Sequence, residues 1–273
     1  MRLSILILNH NTPKLIKYLL KNINQLNLQF PYEIIVVDNG KKNVLRNELN
    51  TQLANITLLE VPNHGFAAGN NAGLGVAQGE YILFLNPDIY IEPNNIEKML
   101  KFMDEHQQVG LLGPQLLYPS GQYQESCLAY PDWRLPFYRR SFLAHSQAGK
   151  KWLRHYLLRD YDHKTARPVD WLFGASWLVR QKAITEVGKL DEVYFMYFED
   201  LDWCRRFWQV GWQVWYFPEA KVIHFHHRDS AEKQGWHGLF TKLGRVHLVS
   251  WFKYIKKWHS QPIFGANNEN PKL

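Results

Sequence analysis

Three apolar runs that each end in a short polar cluster constrain this chain most. Leu3 to Leu8 runs into Asn9-His10-Asn11, Glu33-Ile34-Ile35-Val36-Val37 into Asp38-Asn39-Gly40, and Tyr81 to Leu85 into Asn86-Pro87-Asp88. Continuous apolar runs of this length suit strands buried on both faces. Between them Thr12-Pro13 predicts a helix start with a capping hydroxyl, and Leu15, Ile16, Leu19, Leu20 and Ile23 give that helix an apolar stripe. Ile56 to Val61 is a further strand, and Ile96, Met99, Leu100 and Met103 recur at helical spacing after Pro93. Strand and helix alternating to about residue 105 predict an α/β fold with a doubly wound, mostly parallel central sheet.

Residues 119–168 carry Pro119, Pro131, Pro136 and Pro168 among aromatic and basic residues, and read as a loop or helical insert that shapes an acceptor pocket. Trp171 to Val179 resumes a strand-like run. Gln181 to Val187 and Phe198 to Val210 are predicted helices closed by Gly188 and Gly211, and Val214–Phe217 and Lys221–Phe225 are late strands. The end changes character: Trp236, Phe240, Leu243, Val246, Val249 and Trp251 mix with Lys233, Arg245, Lys253, Lys256 and Lys257 in a basic, aromatic, amphipathic helical extension, and Asn267 to Leu273 is expected to fray.

In open parallel sheets, ligands bind beyond the carboxyl ends of the strands, where all three polar clusters sit. The same residues also serve simply as turn formers. Asp88 is the best metal candidate, since Mg²⁺ takes one or two carboxylates plus substrate phosphates. Asn63 to Gly73 is neither a Walker loop nor a dinucleotide fingerprint, although its small residues let backbone approach a ligand. Glu199-Asp200-Leu201-Asp202 puts three acids at a helix start, where they complement the helix dipole. Beside the wall Phe195-Met196-Tyr197-Phe198, one of them can also serve as a general base. His224, His226 and His227 follow a strand, and one of them could complete a metal site with Asp88.

Lys+Arg 32 against Asp+Glu 25 gives +7, which favours anionic partners without choosing among them. The chain has no recognised nucleic-acid motif, and acids at the strand ends oppose a nucleic-acid partner. Two cysteines exclude a disulfide framework or a four-cysteine zinc site. The first apolar run stops at Asn9, too short for a signal-peptide core of about 7–15 residues. No run approaches the roughly 18–20 apolar residues of a membrane span. The expectation is a cytoplasmic protein that meets a membrane only at its inner face.

Taken in order, Val37-Asp38-Asn39, Asn63 to Gly73, Leu85-Asn86-Pro87-Asp88, Gly174-Ala175 and Phe195 to Arg206 resemble family 2 glycosyltransferases of the GT-A fold, in the subgroup that includes rhamnosyltransferases. The resemblance covers about residues 3–230. It implies one catalytic domain over 1–230, with a nucleotide-binding half (1–118) and an acceptor and catalytic half (119–230), followed by the extension 231–273. It also implies roles. Asp38, with Asn9 and Asn11, would bind the base or ribose of a dTDP- or UDP-sugar, and Asn63, Gly65, Asn70 and Asn86 would line the donor site. Gly174 and Ala175 would wall the donor sugar. Asp88 would hold Mg²⁺ or Mn²⁺ against the diphosphate with help from His224, and Asp200 would be the catalytic base beside Glu199.

The implied function is inverting transfer of a sugar, rhamnose by subgroup, to a saccharide or lipid-linked saccharide in cell-surface polysaccharide synthesis. The alternative is a non-catalytic nucleotide-sugar or membrane scaffold. The sequence departs from the family in two places. Asn86-Pro87-Asp88 stands where Asp-x-Asp is usual, and no glycine follows His224.

Overall fold

The computed structural model describes residues 1–49, 56–140, 142–225 and 241–266. Strand and helix alternate through β1 (Leu3–Asn9), α1 (Pro13–Gln25), β2 (Tyr32–Asp38), α2 (Val44–Leu49), β3 (Thr57–Glu60), α3 (Phe66–Leu74) and β4 (Tyr81–Leu85). These four strands are mutually parallel in the order β3-β2-β1-β4. β5 (Ile89–Ile91), α4 (Asn95–Glu105) and β6 (Val109–Leu117) follow, then β7 (Cys127–Leu128), α5 (Leu135–Arg140), α6 (Gln147–Tyr156), β8 (Arg167–Pro168) and β9 (Trp171–Leu172). The chain continues as β10 (Ser176–Arg180), α7 (Gln181–Val187), α8 (Glu199–Gln209), β11 (Gln213–His224) and α9 (Lys242–Trp258).

The second half of the sheet is mixed. β10 enters antiparallel between β4 and β6, while β6 and β11 run parallel. Helices cover both faces, as buried strands require. Ile16, Leu19, Leu20 and Ile23 of α1 and Ile96, Met99 and Met103 of α4 pack on one face. Leu201, Trp203, Cys204, Phe207 and Trp208 of α8 pack on the other, together with Tyr254 and Trp258 of α9.

Several local expectations are revised. Thr12 caps nothing with its side chain; instead Asn9 Oδ1 accepts from the Thr12 amide at 3.1 Å and hydroxyl at 2.9 Å. The Asn63–Gly73 stretch is largely helical. Its Gly69 and Gly73 admit the close approach of Leu8 and Leu6 of β1, so their smallness serves packing on the sheet. The two late strands are one strand, β11, with an irregularity between Phe217 and Lys221. Conversely, the single run Trp171–Val179 is broken at Phe173-Gly174-Ala175 between β9 and β10. β6 escapes a periodicity reading because Gly110, Gly113 and Pro114 interrupt it; a side chain at Gly110 would strike Phe207, and one at Gly113 would strike Leu172.

α9 is integral to the core. Its buried Trp258 donates to Asp202 Oδ1 at 2.8 Å, and the Lys257 ammonium lies 2.7 Å from the same oxygen. Arg205 of α8 stacks over the Trp258 ring at 4.3 Å and donates to the Tyr254 hydroxyl at 3.1 Å. The expected boundary at 230/231 falls outside the described residues, as do Arg228, Lys233, Trp236, Phe240, His226, His227 and the tail from Asn267. Among the described residues no helix is long and apolar enough to cross a membrane.

Candidate active site

The ends of β1 and β2 are in register, Asn9 opposite Asp38, and a polar network grows from that pair. Asn9 Nδ2 donates to Asp38 Oδ1 at 2.8 Å, and the Gly40 amide donates to the same oxygen at 3.0 Å. Asn39 Nδ2 donates to Asn63 Oδ1 at 3.3 Å, and His10 pairs with Asn39 Oδ1 at 3.0 Å. Asn11 adopts a left-handed conformation, φ 59°, and its Oδ1 accepts from the Lys41 amide. The residues expected to meet the donor therefore gather on one rim. Asn9 and Asp38 are both buried there, and Asn9 spends its polar atoms within the protein.

Gly65 does something the sequence does not reveal. It has φ +108°, and a Cβ there would lie 2.2 Å from the Phe195 carbonyl, which accepts from the Phe66 amide at 2.8 Å. Its backbone approaches the acid-bearing loop. Asn70 is likewise an internal tie, donating to the Phe66 carbonyl. Asn71, absent from the sequence-based expectations, joins the same two regions by donating to the Leu190 carbonyl and Glu192 Oε1, both at 2.8 Å.

Asp88 and His224 meet at the far end of the rim. β5 pairs antiparallel with the end of β11, with His224 opposite Ile89, and the Phe225 amide donates to the Asp88 carbonyl. His224 Nε2 lies 3.4 Å from Asp88 Oδ1, while Nδ1 lies 2.9 Å from Gln124 Oε1. Two donors about 2.1 Å from one ion stand roughly 3–4 Å apart, so this pair fits a single divalent cation. Among the described residues no group of three or more His, Cys, Asp or Glu side chains could hold an ion alone, so the remaining ligands would come from substrate phosphates and water.

Asp200 is tied to the same rim. The Asn86 amide, two residues before Asp88, donates to the Ala175 carbonyl at 2.9 Å. The adjacent Gly174 lies against Asp200, whose carboxylate accepts from the Leu201 amide at 2.8 Å. Gly174 thus stands against the base candidate, its added Cβ 3.5 Å from Asp200 Cβ. The break between β9 and β10 sets Gly174 against the candidate base.

Burial sets the electrostatics of the acids. It pushes the Asp200 carboxyl up to about 6, with the Leu201 and Gly174 amides opposing the rise. Burial, then the Asp200 charge, lifts Glu199 well above the usual carboxylate range. Asp200 is therefore mostly ionised at pH 7, and Glu199 is the acid of the pair that burial most holds back from ionising. Asp202, the third acid of the motif, is fully buried and structural, accepting from Arg206 Nε at 2.9 Å as well as from α9. The turn that launches these acids is unusual, with Tyr197 and Phe198 both at φ 70°. Aromatic residues rarely adopt that conformation. α9 holds it: Ser250 Oγ donates to the Met196 carbonyl at 2.8 Å, and the His247 ring lies 5.1 Å from both the Tyr197 and Phe198 rings.

A model of the glycosyl transferase family 2 domain matches residues 4–184. The chain belongs to glycosyl transferase family 2. Rhamnosyltransferase WbbL of Escherichia coli K12 is 28% identical over 276 residues, covering 93% of this family 2 chain and 92% of WbbL. N-acetylglucosaminyl-diphospho-decaprenol L-rhamnosyltransferase of Mycobacterium tuberculosis is 31% identical over 211 residues, covering 71% of this chain and 66% of that enzyme's length. Among solved structures, GalNAc-T7 with UDP, GalNAc and Mn²⁺ superposes with a TM-score of 0.69 at 13% identity, covering 95% of this chain and 49% of the other. Mannosyltransferase PcManGT of Pyrobaculum calidifontis, in complex with GDP-Man and Mn²⁺, gives 0.58 at 16% identity, covering 93% and 64%. These likenesses establish the GT-A fold.

Proposed function

We propose that this family 2 glycosyltransferase moves a sugar, with inversion, from a nucleotide-diphosphate sugar to a hydroxyl of a saccharide or lipid-linked saccharide. The observation that supports the reading is the path of contacts from the Asp88 turn through the Asn86–Ala175 hydrogen bond to Gly174, which lies against Asp200. It links the candidate cation pair to the candidate base.

The chemistry is a displacement at the anomeric carbon, in which negative charge accumulates on the departing diphosphate. A cation bound by Asp88 and His224 would act as a Lewis acid toward that charge. An oxygen and nitrogen donor pair suits Mn²⁺ better than Mg²⁺, which takes oxygen. Asp38, its Oδ1 fixed by Asn9 and Gly40, presents Oδ2 to the base or ribose. Asp200 accepts the proton of the acceptor hydroxyl, a contribution typically worth about 10²–10⁴-fold. Holding donor and acceptor in line supplies much of the remaining acceleration. The names of the relatives, two of them rhamnosyltransferases, support rhamnose as the sugar, and the decaprenol-linked name supports a lipid-linked acceptor; a dTDP donor rests on the subgroup resemblance alone.

The outer face of α9 suits that acceptor. Val249 and Phe252 are 52% and 62% exposed, with Arg245 and Lys256 on the same stripe, and Lys253 reaches the carbonyl of exposed Val193. Basic residues beside apolar ones fit an anionic inner leaflet, at about 1 kcal/mol per cation. Because α9 is part of the core, point substitution tests this better than truncation. Val249→Ser with Phe252→Ser should weaken flotation with anionic liposomes; undiminished flotation removes the membrane reading.

The enzymatic reading is tested with a panel of dTDP- and UDP-sugars and a polyprenyl-diphosphate saccharide. It expects release of free nucleoside diphosphate matched to a glycosylated product. Donor binding without turnover would favour a scaffold, and pyrophosphate release a nucleotidyltransferase.

A further inference from the structure

We propose that Gln124 is a positioning residue of the cation site, fixing His224 in the tautomer whose Nε2 lone pair faces Asp88. The inference rests on reading Asp88 and His224 as cation ligands, and it assigns a role to a residue from the segment otherwise read as an insert.

The chain reverses just beyond β6. The Gly121 amide donates to the Tyr118 carbonyl at 2.8 Å across Pro119-Ser120, with Gly121 at φ +79°. Proline at the first central position and glycine at the end suit such a turn. The returning strand is pinned to β6: the Gln124 amide donates to the Leu116 carbonyl at 2.9 Å, and Leu117 bridges Tyr123. This sets the Gln124 side chain, itself buried, beside the last residue of β11.

The direction of the amide then follows from its partners. Gln124 Nε2 donates to the His224 carbonyl at 2.9 Å and to the Leu117 carbonyl at 3.2 Å. Both partners only accept, so a flipped amide would oppose oxygen to oxygen twice. Oε1 must therefore face the ring, and an amide oxygen only accepts. The ring nitrogen 2.9 Å away, Nδ1, must carry the proton. In a neutral imidazole the other nitrogen is then the acceptor. That nitrogen, Nε2, is the one 3.4 Å from Asp88 Oδ1. Gln124 thus grips His224 twice, at its carbonyl and at its ring, and fixes both position and tautomer. Partners of this kind typically govern 10–100-fold in metal affinity.

The test uses the full chain and Mn²⁺ as probe, followed by water-proton relaxation, with calorimetry of dTDP without metal as the control. Gln124→Met keeps the length but removes every polar contact of the side chain. We expect it to weaken Mn²⁺ binding about 10–100-fold, with metal-free dTDP affinity unchanged. A purely structural role would lower both affinities together. Nitrogen-15 spectra of the wild-type imidazoles should show His224 protonated on Nδ1, a readout that stands whether or not Gln124→Met folds. Wild-type Mn²⁺ affinity in Gln124→Met, or a neutral His224 protonated on Nε2 instead of Nδ1, overturns the proposal. Wild-type protein that binds no Mn²⁺ overturns the cation reading beneath it.

Discussion

Asp88 and Asp200 hang from the same end of one sheet, yet their surroundings differ in kind. Asp88 follows a tight turn, keeps 23% of its side chain exposed, and faces an imidazole held by an amide. Asp200 starts a helix from a left-handed aromatic turn, beside a buried carboxyl raised well above the usual range and under a helix contributed by the far end of the chain. A carboxylate near solvent stays charged and can hold a cation against phosphate. One pressed into an apolar wall is raised toward the pH at which it can take up and release a proton. On the proposed reading, two acids of the same chemistry take different tasks from burial and neighbours.

The largest expected effect falls on the base. Asp200→Asn should lower kcat by about 10²–10⁴-fold while donor affinity is kept. Asp88→Ala should do the converse, weakening metal-dependent donor binding first. Rapid-quench turnover with calorimetry on both variants separates the two corners, and near-normal turnover in Asp200→Asn would erase the distinction.

The support beneath each corner differs too. Trp258→Ala removes a buried ring that stacks on Arg205 and donates to Asp202. It should cost about 3–5 kcal/mol in denaturant unfolding and depress kcat, yet leave Mn²⁺ affinity near wild type. Equal damage to Mn²⁺ binding would mean that the corners are not separately supported.

The pH profile gives a smaller effect. Asp200 must be ionised to accept a proton, and its carboxyl titrates at about 6. Turnover should therefore rise through pH 6 and fall about tenfold per unit below it. A profile flat from pH 5 to 8 would count against a raised base. Glu199→Gln should have the least effect, within about tenfold, because burial and the Asp200 charge already disfavour the ionised form that the amide replaces.

The nucleotide half of the fold was legible because its strands are pure apolar runs and their polar ends coincide with the ligand-binding edge of any open sheet. The residues alone offered His224, His226 or His227 as the partner of Asp88; the family resemblance singled out His224, since 136 positions separate the two in sequence. What stayed hidden has physical causes. Gly110, Gly113 and Pro114 mask a central strand, and the two glycines are there because Phe207 and Leu172 lie against them. Gly65 looks like a ligand-facing glycine, but its neighbour is the Phe195 backbone. Gln124 belongs to no motif, and only the turn signal at Pro119-Ser120-Gly121 hints that the chain folds back along β6. The basic aromatic ending reads as an appendage because its polar face is conspicuous, whereas its buried face, Tyr254 and Trp258, fits only against α8.

The most direct test of the shared rim is a crystal structure with Mn²⁺ and an unreactive dTDP-sugar, using the manganese anomalous signal. The account predicts one anomalous peak between Asp88 Oδ1 and His224 Nε2, with the sugar's anomeric carbon on the side of Asp200. A metal bound elsewhere, or an anomeric carbon turned away from Asp200, would contradict it.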